Sequence, residues 1–170
     1  DLVRIQSANA VYLVGDVSKA GSPETLAEIS GKLPELQIQL VASGATADQI
    51  GQAVTAVTDA ITVRLLELAE AELGQPPVPY CWLAGGSQAR REQSSHSDQD
   101  NALLIADHMK PEDDAYFAAL ARIVNDGLNA CGYIYCPGDV MASNPKWRKP
   151  LNIWTKYFNT WIKRPEPMAL

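Results

Sequence analysis

The chain has no long apolar run. Its longest apolar stretches are short, such as Ala102 to Ala106, far below the roughly 18 residues that a membrane-spanning helix needs. It has no excess of positive charge either. Fourteen Lys and Arg face 20 Asp and Glu, a net charge of −6, which argues against non-specific nucleic-acid binding as the main task. Local basic patches can still hold a nucleotide. Cysteines are few and odd in number: Cys81, Cys131 and Cys136. With no basic, apolar leader after Asp1, that count fits a reducing cytoplasm, and the chain is expected to be a piece of a longer protein. Cys131 and Cys136 lack zinc-knuckle spacing and have no histidine nearby, so both read as buried free thiols. What remains, 46% hydrophobic and 20% charged residues, is the composition of a globular domain with a real core.

The first 75 residues read as helical. Val3, Ala10, Leu13 and Val17 fall at helical spacing over residues 2–19. Gly21 breaks the chain, Ser22 suits an N-cap and Pro23 the first helical position. Leu26, Ile29, Leu33, Leu36 and Leu40 continue one face, with a kink expected at Pro34 and a stop at Gly44. Thr46 and Gln49 form a capping-box pattern. After it, Ile50, Val54, Val57, Ile61, Leu65 and Leu68 recur at three- and four-residue steps until Gly74 and Pro76-Pro77. Such a stripe packs against other helices or covers a sheet.

Beyond Pro79 the pattern changes. Tyr80–Ala84, 100–106 and 133–136 are short apolar runs that predict strands. Residues 113–130 and 151–163 predict amphipathic helices, and Ser143-Asn144-Pro145 opens a loop. The predicted fold class is α/β (α+β): a small mixed sheet flanked by helices, with an N-terminal helical segment.

The chemistry concentrates in Gly85-Gly86-Ser87-Gln88-Ala89-Arg90-Arg91-Glu92-Gln93 and Ser97-Asp98-Gln99-Asp100-Asn101. Gly85 and Gly86 present no side-chain wall, so a phosphate can approach the backbone. Ser87 adds a hydroxyl at a helix turn whose free amides favour an anion. Arg90 and Arg91 offer forked donors to phosphate oxygens. Asp98 and Asp100 are two residues apart. On a strand, i and i+2 share a face, about 6.5–7 Å apart at Cα, so both carboxylates can converge on divalent cations. Alone, a Gly-Gly-Ser turn is usually only a turn, and Asp-x-Asp often only a polar strand start. The order strand, Gly-Ser, ten residues, Asp-x-Asp, apolar strand is more specific.

That order resembles the polymerase-β-like nucleotidyltransferase superfamily. The closer pattern, Gly-Ser-x-x-Arg-x-Glu-Gln and then Ser-Asp-Gln-Asp-Asn, is similar to the signal-transduction nucleotidyltransferases often found downstream of cyclic-nucleotide-binding and CBS domains. These are related to PII-protein uridylyltransferases and glutamine synthetase adenylyltransferases. Residues 136–148 and the segment from Trp154 to Pro165 share the likeness, which covers about residues 25–170. The resemblance implies a metal-dependent transferase that moves NMP from an NTP (ATP or UTP) to a protein hydroxyl, using Mg2+ or Mn2+. It implies Asp98 and Asp100 as catalytic metal ligands, and Gly86, Ser87 and Arg90 at the nucleotide, with Glu92 orienting Arg90. Arg91, Lys146 and Arg148 are further nucleotide-binding candidates. The alternative is an inactive nucleotide-binding regulatory module. Residues 1–75 are then a connector to N-terminal regulatory domains, and 76–170 the nucleotidyltransferase core. The superfamily's third carboxylate has no clear match: Asp113, Asp114 and Asp126 fall on a helix, Asp139 in a turn. It is expected beyond Leu170, before a C-terminal substrate-binding domain, so the fragment alone is expected to bind weakly or be inactive. His96 and Trp147 are weaker candidates, read first as a loop histidine and a packing residue. No membrane or nucleic-acid partner is expected.

Overall fold

Four helices open the chain in this computed structural model: α1 (Leu2–Lys19), α2 (Pro23–Ser30), α3 (Leu33–Ala42) and α4 (Ala47–Leu73). The structure describes the backbone of residues 2–164 and the side chains of residues 10–164. The side chain of Val3 and residues 1 and 165–170, with Pro165 and Glu166, lie outside the described residues. Local signals account for most helix ends. Ser22 Oγ accepts from the Thr25 amide at 3.3 Å, with Pro23 in the first turn. Thr46 and Gln49 exchange both bonds of a capping box, at 2.9 and 3.3 Å. One expectation is corrected. The chain does not kink at Pro34; it breaks at Gly31-Lys32, and Pro34 sits in the first turn of α3, where its missing N–H costs no helical hydrogen bond.

The apolar stripe of α4 is the spine of the core. Val54, Val57, Ile61 and Leu65 are fully buried, facing α1 on one side and α6 (Asp114–Ala130) on the other. A single core cluster joins side chains from both sides of residue 75, from Val17 and Leu26 through Leu103, Ile105, Phe117 and Leu128.

The sheet is small and mixed. β1 (Tyr80–Ala84) runs antiparallel to β3 (Asn101–Ile105), and β5 (Arg148–Pro150) lies parallel to β3 on its other edge. A separate parallel pair joins β2 (Asp98–Gln99) to β4 (Ile134–Tyr135). The strand expected over 100–106 is β3, beginning one residue later at Asn101; Asp98–Gln99 form a separate short strand before it, and the loop expected after Ser143 contains β5. Side chains alternate across β2 and β3. Gln99, Asn101, Leu103 and Ile105 are buried on the helical side. Ala102 and Leu104 face α7 (Leu151–Lys163), where Trp147 stacks on Trp154 with centroids 6.1 Å apart. Trp154 Nε1 donates to the Leu103 carbonyl at 3.0 Å, fixing α7 to the sheet. Asp98 and Asp100 share the parity of Ala102, and therefore its face. Among the described residues no helix is long and apolar enough to cross a membrane.

Candidate active site

The acids are held by what their neighbours do on the opposite face. Gln99 Nε2 donates to the carbonyls of Asn125 and Tyr133, each at 3.0 Å. Asn125 Nδ2 reaches Gln99 Oε1 at 2.7 Å and Asn101 Oδ1 at 2.9 Å. Asn101 Oδ1 also accepts from the Ala142 amide at 2.8 Å, and Asn125 Oδ1 from Ser143 at 3.0 Å. The three amides are buried and their polar groups are spent on one another and on the backbone. A buried network of this kind is rigid because each broken bond leaves an unsatisfied group costing about 1–3 kcal/mol. In Asp98-Gln99-Asp100-Asn101 the two amides clamp the strand to α6 and to the 140–143 loop, while the two acids project the other way.

Gly85 and Gly86 complete the acidic side. The Gly85 amide donates to the Asp100 carbonyl at 2.8 Å. Gly86 has φ +49°, and a Cβ built there would lie 1.9 Å from Asp100 Oδ2. Only glycine fits both the backbone angle and the space. The missing methyl is what lets the carboxylate lie against the turn. α5 (Gly86–Ala89) begins there. It is anchored by buried Gln88, whose Nε2 donates to Asp59 of α4 at 2.8 Å. The next turn presses on α4 so closely that a Cβ on Gly51 would lie 2.3 Å from the Arg91 carbonyl.

A cavity of about 490 Å³ opens beside these groups. Gly85, Gly86, Arg90 and Asp100 line one side, and Trp147, Trp154, Phe158 and Trp161 line the other. Its size and mixed lining suit a small-molecule site. Arg90 Nε donates to Glu92 at 2.8 Å, the pairing expected of Glu92. Both side chains are about three-fifths exposed, so the pair contributes at most about 1 kcal/mol.

The other candidates are placed differently. Ser87 follows Gly86 in α5 and is half-buried. Arg91 is exposed, with φ +57°, and is not among the cavity's lining residues. Lys146 is exposed, its Nζ 4.5 Å from the centre of the Trp147 ring at the aromatic side. Arg148 is only 4% exposed. Its Nη1 donates to the carbonyls of Ala142 and Ser143, each at 3.0 Å, and its Nε to Asp114 at 3.1 Å. That guanidinium is committed to the 140–143 loop, and it does not line the cavity. Asp114 is correspondingly an ion-pair partner rather than a free surface acid. Asp139 accepts from Asn144 Nδ2 at 2.8 Å within its turn. His96 is an exposed loop residue bonded to Ser95 Oγ at 3.0 Å, away from the cavity, and Trp147 packs in the aromatic cluster as well as lining the site.

Cys136 is the residue that sequence reasoning missed. Cys131 is buried, its thiol pushed up to about 12 by burial, as expected of a core thiol. Cys136 differs: one ligand atom from each of Asp98, Asp100 and Cys136 lies within 4.8 Å of the others. Burial, and then a hydrogen bond to Asp100, raise this thiol above its ordinary value. The sequence signal was a strand ending in cysteine at a Pro-Gly turn. Without the partner strand, nothing in it points to the acids. A model of the family described as "Putative nucleotidyltransferase DUF294" matches residues 31–168. No curated protein matches the chain, and no solved structure does.

Proposed function

We propose, from the premise that the chain belongs to this DUF294 nucleotidyltransferase family, that it transfers NMP from ATP or UTP to a hydroxyl of an acceptor protein in a metal-dependent reaction. The observation that carries the reading is the pair of aspartates on one face of β2 and its continuation, set against a glycine turn with no side-chain wall. The two carboxylates fit Mg2+ or Mn2+, since hard oxygens of Asp98 and Asp100 converge. When bound, the cation supplies charge neutralisation at the triphosphate and at the attacking oxygen.

In this reading each residue has a limited task. Asp98 and Asp100 are the catalytic metal ligands. Gly86 and Ser87 receive the phosphates at the turn. Arg90, aimed by Glu92, neutralises a phosphate oxygen from the open side. The aromatic wall of Trp147, Phe158 and Trp161 takes the flat base by stacking, and Lys146 lies at its rim. Arg91 remains a solvent-side candidate for the outer phosphates. Arg148 acts at a distance, by holding the 140–143 loop that borders the site. An acceptor hydroxyl oxygen attacks the α-phosphorus; a P–O bond forms as the bond to the bridging oxygen breaks, pyrophosphate leaves, and the hydroxyl proton passes to solvent. Positioning and electrostatics account for such a step without a protein nucleophile. Residues 1–75 would link regulatory domains to the 76–170 core, in the cytoplasm and in a signalling role.

A second reading, a nucleotide-binding module without turnover, draws on the third group beside Asp98 and Asp100 being the Cys136 thiol rather than a carboxylate. The two separate in one assay. Labelled ATP or UTP is incubated with the full-length protein and cell extract. Label transferred to protein with Mg2+ or Mn2+, and lost in Asp98→Asn, supports the transferase. Metal-dependent nucleotide binding without transfer supports the module.

A further inference from the structure

The third group at the acidic site is a sulfur, and the fold puts it there systematically. β2 and β4 pair in parallel, Asp98 opposite Ile134 and Gln99 opposite Tyr135. Continuing the register one step sets Cys136 opposite Asp100. Paired residues of neighbouring strands share a face, so the thiol emerges on the side of the acids. The Cys136 carbonyl accepts from the Asp139 amide at 2.9 Å, which closes a turn directly after it and fixes where the residue stops. Two backbone segments therefore deliver Asp98, Asp100 and Cys136 with ligand atoms within 4.8 Å of one another. Metal–oxygen and metal–sulfur bonds are about 2.0–2.3 Å, so small side-chain rotations that draw the three atoms inward would seat one ion among them. Asp100 also lines the open cavity beside the glycine turn.

Mg2+ demands oxygen ligands in near-ideal octahedral geometry and keeps several waters. Thiolate favours softer ions. We propose that Cys136 is a third metal ligand, so that the site holds a borderline or soft divalent cation through two carboxylates and one thiolate, and prefers Zn2+ to Mg2+ or Mn2+. As the sulfur–metal bond forms, the S–H proton passes to solvent. The inference rests on the reading of Asp98 and Asp100 as metal ligands, and it adds the thiol.

Cadmium is a suitable probe because its bond to thiolate gives an ultraviolet charge-transfer absorption that carboxylates alone do not. The 170-residue chain is titrated with Cd2+ alone, with no nucleotide. One equivalent is expected to bring up the band, Cys136→Ser to abolish it with Cys81 and Cys131 still present, and Asp98→Asn/Asp100→Asn to raise the Cd2+ midpoint at least ~10-fold. Zn2+ is expected to suppress the band at lower concentration than Mg2+ or Mn2+. Cys136→Ala serves as a second variant, and unchanged far-ultraviolet dichroism confirms that both fold. A band that survives Cys136→Ser, or a midpoint unmoved by the double aspartate variant, overturns the proposal. The nucleotidyl reading fails separately: Cd2+ binding as expected, with no metal-dependent NTP binding, supports the thiol ligand and sinks the transferase.

Discussion

Replacing Gly86 by alanine separates backbone strain from damage to the site. At φ +49° a non-glycine residue costs roughly 1–2 kcal/mol. Alanine also removes unfolded-state freedom, which returns about 0.4–1 kcal/mol, leaving a net loss near 1 kcal/mol. For a chain of this size 1 kcal/mol lowers Tm by about 2–4 °C. Gly132 isolates this part: its φ is +96° and a Cβ there meets nothing within 4 Å. Gly132→Ala should lose those few degrees and keep nucleotide binding. In Gly86→Ala the new methyl also meets Asp100 Oδ2 at 1.9 Å, so the carboxylate must swing away. The expected result is a larger Tm loss than Gly132→Ala and at least ~10-fold weaker metal-dependent binding of a non-hydrolysable NTP analogue, read by scanning fluorimetry and calorimetry. If Gly86→Ala binds within twofold of the parent, the close approach of this turn to Asp100 is not what builds the site.

Other perturbations test neighbouring links. Asn125→Ala strips partners from Gln99, Asn101 and the Ser143 amide and should lower unfolding free energy in urea by about 1–3 kcal/mol. Arg148→Leu leaves the Ala142 and Ser143 carbonyls without that donor, while the half-exposed Asp114 carboxylate rehydrates; a stability loss of about 1–3 kcal/mol in the same assay is expected. Weaker nucleotide binding with the urea midpoint unmoved would instead return that guanidinium to the ligand. Phe158 is 54% exposed, so Phe158→Ala should leave Tm nearly unchanged while weakening nucleotide binding by about 1–3 kcal/mol; unchanged affinity would remove the base from the aromatic wall. Burial pushes the Cys131 thiol from 9.0 up to about 12. A raised acid contributes stability that is full below pH 9 and lost as pH climbs toward 12, so Cys131→Ala should flatten the fall of the urea midpoint above pH 9.

The sequence-based expectations hold where the cause is local. The Thr46 capping box, the bounds of Tyr80–Ala84 and the helix over 151–163 follow from neighbours within a few residues. The common face of the two aspartates follows from strand parity alone. Features that depend on a distant partner were not legible. The apolar spacing runs unbroken from Leu26 to Leu40, so it hides the break at Gly31-Lys32. β5 is three residues containing Arg148 and Pro150, with no strand character of its own; it exists because β3 offers an edge. Cys136 reaches the acids only through a parallel pairing with residues 36 positions earlier. Arg148 looked like a free loop cation because its carbonyl partners become acceptors only after the loop folds around it.

The most direct measurement is calorimetric titration of a non-hydrolysable NTP analogue into the chain, with and without Mn2+, for the parent and for Asp98→Asn and Asp100→Asn. The account predicts binding that requires the metal and is lost in each variant. Equal affinity without metal, or in either variant, would contradict it.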